Sequence, residues 1–293
     1  MSNKIISYSF FTPKNLYQHR SWDKYNKWDR YWYNIPALMV TNKILYPEFD
    51  INIQLSSDIK ESTHFPILEK LRDNFDINLI FNDTPYSNTE PTVWRFKPLF
   101  DKSNDIVLCR DIDSLPTKNE YLATRHFIDS EAAVHTMRTH TNHTSSVTII
   151  LAGLCGFRPD RLPINIDYVS YYKQVSSQGW GVDQNSLIDM FAKNPLWTST
   201  NFLDSRLSSK EHSVRKPLIK CISHDENFYI DNVKFDTKLN ELLNLIDIYT
   251  SWSGEPTDIR KDKLANLLKL DYPEIKVLNE ILNSDLKIKE FYL

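Results

Sequence analysis

Glycine is scarce in this chain: there are 5 in 293 residues, where ordinary usage would give about 20. All five, Gly153, Gly156, Gly179, Gly181 and Gly254, fall in three short segments. A chain that avoids glycine elsewhere keeps it where backbone must take a positive φ or approach another group closely. Cysteine is also sparse. Cys109, Cys155 and Cys221 are odd in number and far apart, which excludes a disulfide framework and points to a reducing compartment. No run approaches the roughly 18 apolar residues of a spanning helix. The opening MSNKIISYSFFTPKN lacks the apolar stretch and cleavage site of a signal peptide, so a cytoplasmic protein is expected. Neither sign of charge dominates. With 35 basic and 38 acidic residues the net charge is -3, and no global positive field draws in nucleic acid or anionic lipid.

What is present is an ordinary globular composition, 41% hydrophobic and 25% charged, long enough to bury a full core. The first half alternates strand and helix. Short apolar runs at Ile5–Phe11, Ile51–Leu55, Ile77–Phe81 and Asp105–Cys109 read as strands. Tyr31–Leu45, Phe65–Phe75 and Thr92–Asp101 read as helices between them, with Pro36 and Pro98 as irregular points. Alternation of this kind indicates βαβ units and a mainly parallel sheet. Further on, Ala132–Thr136, Val147–Leu151 and Leu218–Ser223 are expected strands, and Asp167–Ser176 and Asp183–Ala192 expected helices. From Thr237 the chain turns helical, over Thr237–Ile248, Lys261–Leu270 and Glu274–Leu282. No repeat or low-complexity tract is visible. The expected organisation is a domain over 1–235 with a helical extension, 236–293, packed on it.

The residues that point to chemistry sit where the strand DIVLC runs into Arg110-Asp111-Ile112-Asp113. Ligands of open α/β sheets bind outside the carboxyl ends of strands. On an extended segment residues i and i+2 point the same way, so Asp111 and Asp113 can face one cation. Hard carboxylate oxygens suit Mg²⁺ or Mn²⁺, which also take up phosphate oxygens.

An apolar strand ending in DxD, VLCRDIDSLP here, resembles the GT-A class of nucleotide-diphospho-sugar glycosyltransferases. Three further segments share the resemblance: Trp94-Arg95-Phe96-Lys97-Pro98 upstream, and downstream Ala152–Arg158, which resembles the family's glycine-bearing acceptor strand, and Gly179-Trp180-Gly181-Val182-Asp183-Gln184, which resembles its xDQ helix start. It extends over about residues 3–200 and rests on pattern, not on a long identical motif. It implies a GT-A-like (Rossmann-like) α/β fold, a central mixed, mainly parallel sheet flanked by helices, with a helical C-terminal appendage. It also implies a UDP- or GDP-sugar donor, Mn²⁺ or Mg²⁺ held by Asp111 and Asp113, and transfer of a hexosyl or pentosyl group. Asp183 then lies near the reacting sugar carbon, as general base in an inverting enzyme or electrostatic stabiliser in a retaining one. His224 is the expected third metal ligand. Ser251-Trp252-Ser253-Gly254 resembles the family's HxxG loop over the pyrophosphate, with Ser251 where the family has His, so Gly254 is expected to offer backbone contacts to phosphate. Phe10 and Thr12 end the first strand, where the family binds base and ribose. Arg95 is preferred to Lys97 as a phosphate-facing cation, because a guanidinium grips oxyanions in a bidentate way.

Acceptors left open are a glycan, a protein side chain or a modified base in viral DNA. In the viral case the compartment is the host cytoplasm. The aromatic and basic stretch Trp22, Tyr25, Trp28, Tyr31 and Trp32, with Arg20, Lys24, Lys27 and Arg30, suits stacking on sugars or bases as well as core packing. His135, His140 and His143 lack a cysteine or carboxylate to complete a zinc set. Two rival readings stand beside the transferase. A phosphatase of the HAD type also places DxD after a strand, but early in the chain and with a hydroxyl two residues past the second Asp, where Leu115 stands here. A non-catalytic sugar-nucleotide-binding module would keep the donor site without turnover.

Overall fold

The computed structural model describes residues 3–12, 29–86, 90–138, 150–162, 164–175, 181–191, 198–203, 220–223, 236–248 and 257–292. In chain order the strands are β1 (Lys4–Phe10), β2 (Asp50–Ser56), β3 (Ile77–Asn82), β4 (Ile106–Arg110), β5 (Val134–Arg138), β6 (Leu154–Phe157), β7 (Thr198–Leu203) and β8 (Lys220–Ser223). The helices are α1 (Asp29–Leu45), α2 (Phe65–Phe75), α3 (Lys118–Asp129), α4 (Tyr168–Val175), α5 (Val182–Phe191), α6 (Thr237–Ile248), α7 (Thr257–Leu267), α8 (Pro273–Asn283) and α9 (Leu286–Tyr292). The protein is α/β, with a mixed, mainly parallel sheet flanked by helices. Among the described residues no helix is long and apolar enough to cross a membrane.

The chain forms two compact units. The first comprises Met1–Ser9, Tyr86–Arg110 and Asn119–Val233. Its strands lie in the order β1-β4-β6-β5-β7-β8. The β1–β4, β5–β7 and β7–β8 pairs are parallel, and β6 runs antiparallel to both neighbours. β4 is buried from end to end, as a parallel strand covered on both faces should be. Gly156 on β6 has a packing reason: a Cβ there would lie 2.8 Å from Leu108 Cδ2 and 3.0 Å from Phe127 Cε1. The close approach anticipated for glycine is here between a strand and a helix.

The helix expected over Thr92–Asp101 is present as a 3-10 helix, Glu90–Phe100. Pro98 supplies no N–H for an i→i−4 bond. Val93, Phe96 and Leu99, all fully buried in one cluster, recur every third residue and so share a face of a helix with three residues per turn. The end of α3 is held by Arg158, whose guanidinium donates to the carbonyls of Ile128 (2.9 Å) and Ser130 (2.7 Å). A cation there satisfies terminal carbonyls and the negative end of the helix dipole. Of the strand expected at Val147–Leu151, residues 147–149 lie outside the described residues and Ile150 and Leu151 are not in a strand; β6, at Leu154–Phe157, lies in the glycine-bearing segment Ala152–Arg158.

The second unit comprises Phe10–Pro85, Asp111–Lys118 and Lys234–Leu293. It holds the parallel pair β2–β3 and helices α1, α2 and α6–α9. α1 packs against α2, α7 and α8, burying Trp32, Ile35, Leu38, Met39 and Val40. Pro36 lies inside α1, so the carbonyl of Trp32, four residues back, loses its helical donor. The Tyr292 hydroxyl donates to that carbonyl at 2.8 Å. Where α2 ends, Asp76 takes the left-handed conformation at φ 54, and its N–H donates to Arg72 O. In a chain poor in glycine, a short polar residue fills that position.

Candidate functional site

β4 ends in a buried cation. The Arg110 guanidinium pairs with Glu120 Oε1 at 2.5 Å, each side chain about 5% exposed (6% and 5%). It donates further to the carbonyls of Cys155 (2.6 Å) and Cys109 (3.0 Å) and to Thr124 Oγ1 (3.0 Å). Glu120 and Thr124 are four residues apart and so lie on one face of α3. A buried pair of this kind holds only when the remaining hydrogen-bonding capacity is also used, as it is here. Arg110 therefore ties α3, β4 and β6 together at the residue before the acidic pair. The sequence carries a faint signal for it: a charge ending an apolar strand, with Glu and Thr one helical turn apart soon after.

Asp111 and Asp113 are half-buried and lie in a turn just past the strand. The alternation of an extended segment does not govern their directions; the turn does. Its bonds include Ser114 N–H to Asp111 O at 3.4 Å and, from α1, Asn34 Nδ2 to Ile112 O at 2.8 Å. Among the described residues no three His, Cys, Asp or Glu side chains converge as a metal cage. A two-carboxylate set of hard oxygens fits Mg²⁺ or Mn²⁺, which leave other positions to water and phosphate. His224 and Gly254 lie outside the described residues, as do Trp22, Tyr25, Trp28, Gly179 and Trp180.

Arg95 and Asp183 are brought together from 88 positions apart. Arg95 Nη2 meets Asp183 Oδ2 at 2.9 Å, with the side chains 5% and 19% exposed. Its Nε donates to Thr92 O (2.9 Å) and its Nη1 to Arg110 O (3.2 Å). Its backbone N–H donates to Ser9 Oγ at 2.8 Å. The guanidinium's donors thus reach protein acceptors at three atoms, and the geometry makes Arg95 a holder of Asp183. Gly181, at φ +74, turns the chain into α5, and Asp183 lies in the first turn, where the helix dipole favours negative charge. Its Oδ1 accepts the Gln184 N–H at 2.8 Å. Gln184, which sequence reasoning treated only as part of a motif, accepts from Ala152 N–H (3.1 Å) and donates to Ile150 O. It pins the loop that leads into β6. Behind it, the Tyr171 hydroxyl donates to Ser186 Oγ (2.7 Å), which donates to Asp183 O (2.8 Å).

The remaining expected residues sit as follows. Phe10 is 2% exposed and packs edge-on to Trp32 at 4.8 Å, which makes it a core ring. Thr12 is half-buried, and its N–H donates to Ser56 Oγ at the end of β2 (3.2 Å). His135 is fully buried and stacked on Phe127, while His140 and His143 lie outside the described residues. Cys109 and Cys155 are free, buried and in register on β4 and β6. Burial pushes the Cys155 thiol well above its usual range, so it stays protonated and is no nucleophile.

No known family profile matches the chain, and no curated protein matches it in sequence. Solved structures do. TarS of S. aureus, residues 1–349, superposes with a TM-score of 0.42 at 14% identity, over 97% of this chain and 71% of that one. The mannosyltransferase PcManGT from Pyrobaculum calidifontis, in complex with GDP-Man and Mn²⁺, gives 0.38 at 9% identity, over 99% and 83%. The 4-diphosphocytidyl-2C-methyl-D-erythritolsynthase from Anaerococcus prevotii gives 0.38 at 14%, over 84% and 98%. Likeness at this level carries no activity from those proteins to this one.

Proposed function

We propose that this chain is a metal-dependent glycosyltransferase that uses a UDP- or GDP-sugar as donor. The observation that carries the reading is the acidic turn: two half-buried carboxylates, Asp111 and Asp113, directly after a buried strand whose last residue is locked by an internal ion pair. A divalent cation bound there supplies charge neutralisation at a diphosphate leaving group. In this reading Asp111 and Asp113 hold the cation. Asp183 takes its position from Arg95 on one oxygen and the Gln184 N–H on the other. Its carboxylate would accept the acceptor's proton in an inverting enzyme, or face the positive charge developing at the sugar carbon in a retaining one. Thr12, beyond β1, is assigned to the nucleoside.

The test needs no known acceptor. A panel of UDP- and GDP-sugars, GDP-mannose among them, is incubated with Mn²⁺, and slow donor hydrolysis is followed by mass spectrometry. One donor is expected to be cleaved and to raise the melting temperature only when Mn²⁺ is present. Asp113→Ala should lose the shift and at least about 100-fold of the hydrolysis, since Lewis-acid stabilisation is worth several kcal/mol. Metal-independent hydrolysis, or an Asp113→Ala protein that behaves like wild type, would overturn the assignment.

A further inference from the structure

We propose that Asn34 is a positioning residue for the acidic turn, its side-chain amide fixing the peptide between Ile112 and Asp113 and so the direction of both carboxylates toward the cation. This rests on reading Asp111 and Asp113 as the cation's ligands. Asn34 lies in the body of α1 and is 6% exposed, preceded by Trp32 and Tyr33 and followed by Ile35, Ala37 and Leu38, all buried. Asparagine is a poor helix former, and a buried amide is costly unless it is hydrogen-bonded. An apolar side chain would serve the packing at this position better. The amide is directed instead to Ile112 O, 78 positions away, at 2.8 Å.

Asn42, the other buried asparagine of α1, shows the contrast. Its amide returns to Leu38 O within its own helix at 2.7 Å, the local back-bond such residues ordinarily make. In the acidic turn itself, the Ser114 N–H to Asp111 O bond is 3.4 Å long, beyond the usual range for N–H···O. The Asn34 bond is the shorter of the two. It acts on the peptide that leads into Asp113, one of the two whose rotation swings Asp113 relative to Asp111. Magnesium and manganese demand near-octahedral placement of their ligands, and groups that orient ligands from behind commonly govern affinity.

Mn²⁺ is titrated into the protein in the presence of UDP and, in a parallel series, of GDP, with free Mn²⁺ read by electron paramagnetic resonance. Asn34→Ala is expected to weaken Mn²⁺ binding about 10- to 100-fold. Tyr292→Phe is the control. It deletes one buried hydrogen bond in the same unit and lowers stability comparably, but should leave Mn²⁺ affinity unchanged. An Asn34→Ala protein that binds Mn²⁺ like wild type overturns the positioning role, as does equal weakening in Tyr292→Phe. Wild-type protein that fails to bind Mn²⁺ overturns the metal reading along with it. If Asn34→Ala does not fold, Asn34→Ser, which retains a small hydroxyl, is titrated in its place with the same outcomes.

Discussion

Arg95 and Asp183 illustrate how a residue can be found for one reason and placed for another. In sequence Arg95 stands out as a cation ahead of DxD; in the fold its guanidinium answers to Thr92 O, Arg110 O and Asp183. Removing one member of such a nearly buried pair strands the other. Arg95→Met is expected to lower the unfolding free energy by about 3 kcal/mol. Arg95→Lys should recover little of it, because an ammonium on a flexible stem cannot serve three acceptors set around a planar fork. Asp183→Asn is different. It keeps an oxygen for Arg95 and loses the acceptor used by Gln184, so about 1 kcal/mol is expected, while donor turnover falls sharply. Urea unfolding read beside the hydrolysis assay separates the two roles. An Asp183→Asn protein as unstable as Arg95→Met would mean that the carboxylate is there for the fold alone.

α1 shows what an element owes to partners far along the chain. Pro36 is visible in the sequence as a misfit in a helical pattern; the hydroxyl that makes it tolerable belongs to Tyr292, 260 residues from the Trp32 carbonyl it serves. Tyr292→Phe should cost about 1–2 kcal/mol by leaving the Trp32 carbonyl unsatisfied. Pro36→Ala returns a helical N–H to the same carbonyl, so in that background Tyr292→Phe should cost much less. A double-mutant cycle by urea unfolding is expected to give a coupling near 1 kcal/mol; simple additivity would show that Tyr292 does not compensate for the proline. The same division between local and distant information explains what was legible. β1, β2, β3, β4, α2, α5 and α6 were readable because apolar spacing and chain punctuation agree within each segment. α3 was not, since KNEYLATRHFID buries Glu120 and Thr124, and only their bonds to Arg110 make that reasonable. β6 lies within Ala152–Arg158, the segment that the GT-A resemblance marks as a glycine-bearing strand, but its pairing with β4 and β5 cannot be read along the chain. β7, TSTNFL, is short and mostly polar. At the candidate site, residue pattern singles out the acidic pair and the GT-A resemblance singles out Arg95 and Asp183, while the contact between those two is visible only in the fold. Asn34, Arg110 and Gln184 were not legible, because each acts through a carbonyl or N–H that no side-chain pattern announces.

The last helices are expected as an extension packed on the domain over 1–235, and the compact unit that contains them also contains the acidic turn. α1 packs on α7 and α8, Tyr33 stacks on Phe291 at 4.3 Å, and Lys118 Nζ reaches Asn240 Oδ1 at 3.4 Å. Leu242, Leu243, Leu264, Leu278, Leu282 and Ile288 are buried there. Each such side chain contributes about 1.5–3 kcal/mol on burial, so their combined loss rivals the roughly 5–15 kcal/mol that hold a typical domain. Ending the chain at residue 235 is therefore expected to unfold the surroundings of α1 and release the hold of Asn34 on Ile112. Mn²⁺ binding in the presence of UDP or GDP should then disappear, although Asp111, Asp113 and His224 all remain in the shortened chain. Hydrogen exchange should show residues 29–45 losing protection in the same protein. If the shortened chain instead bound Mn²⁺ with wild-type affinity and kept that protection, the C-terminal helices would be a true appendage, and the acidic turn would owe its shape to the residues before them.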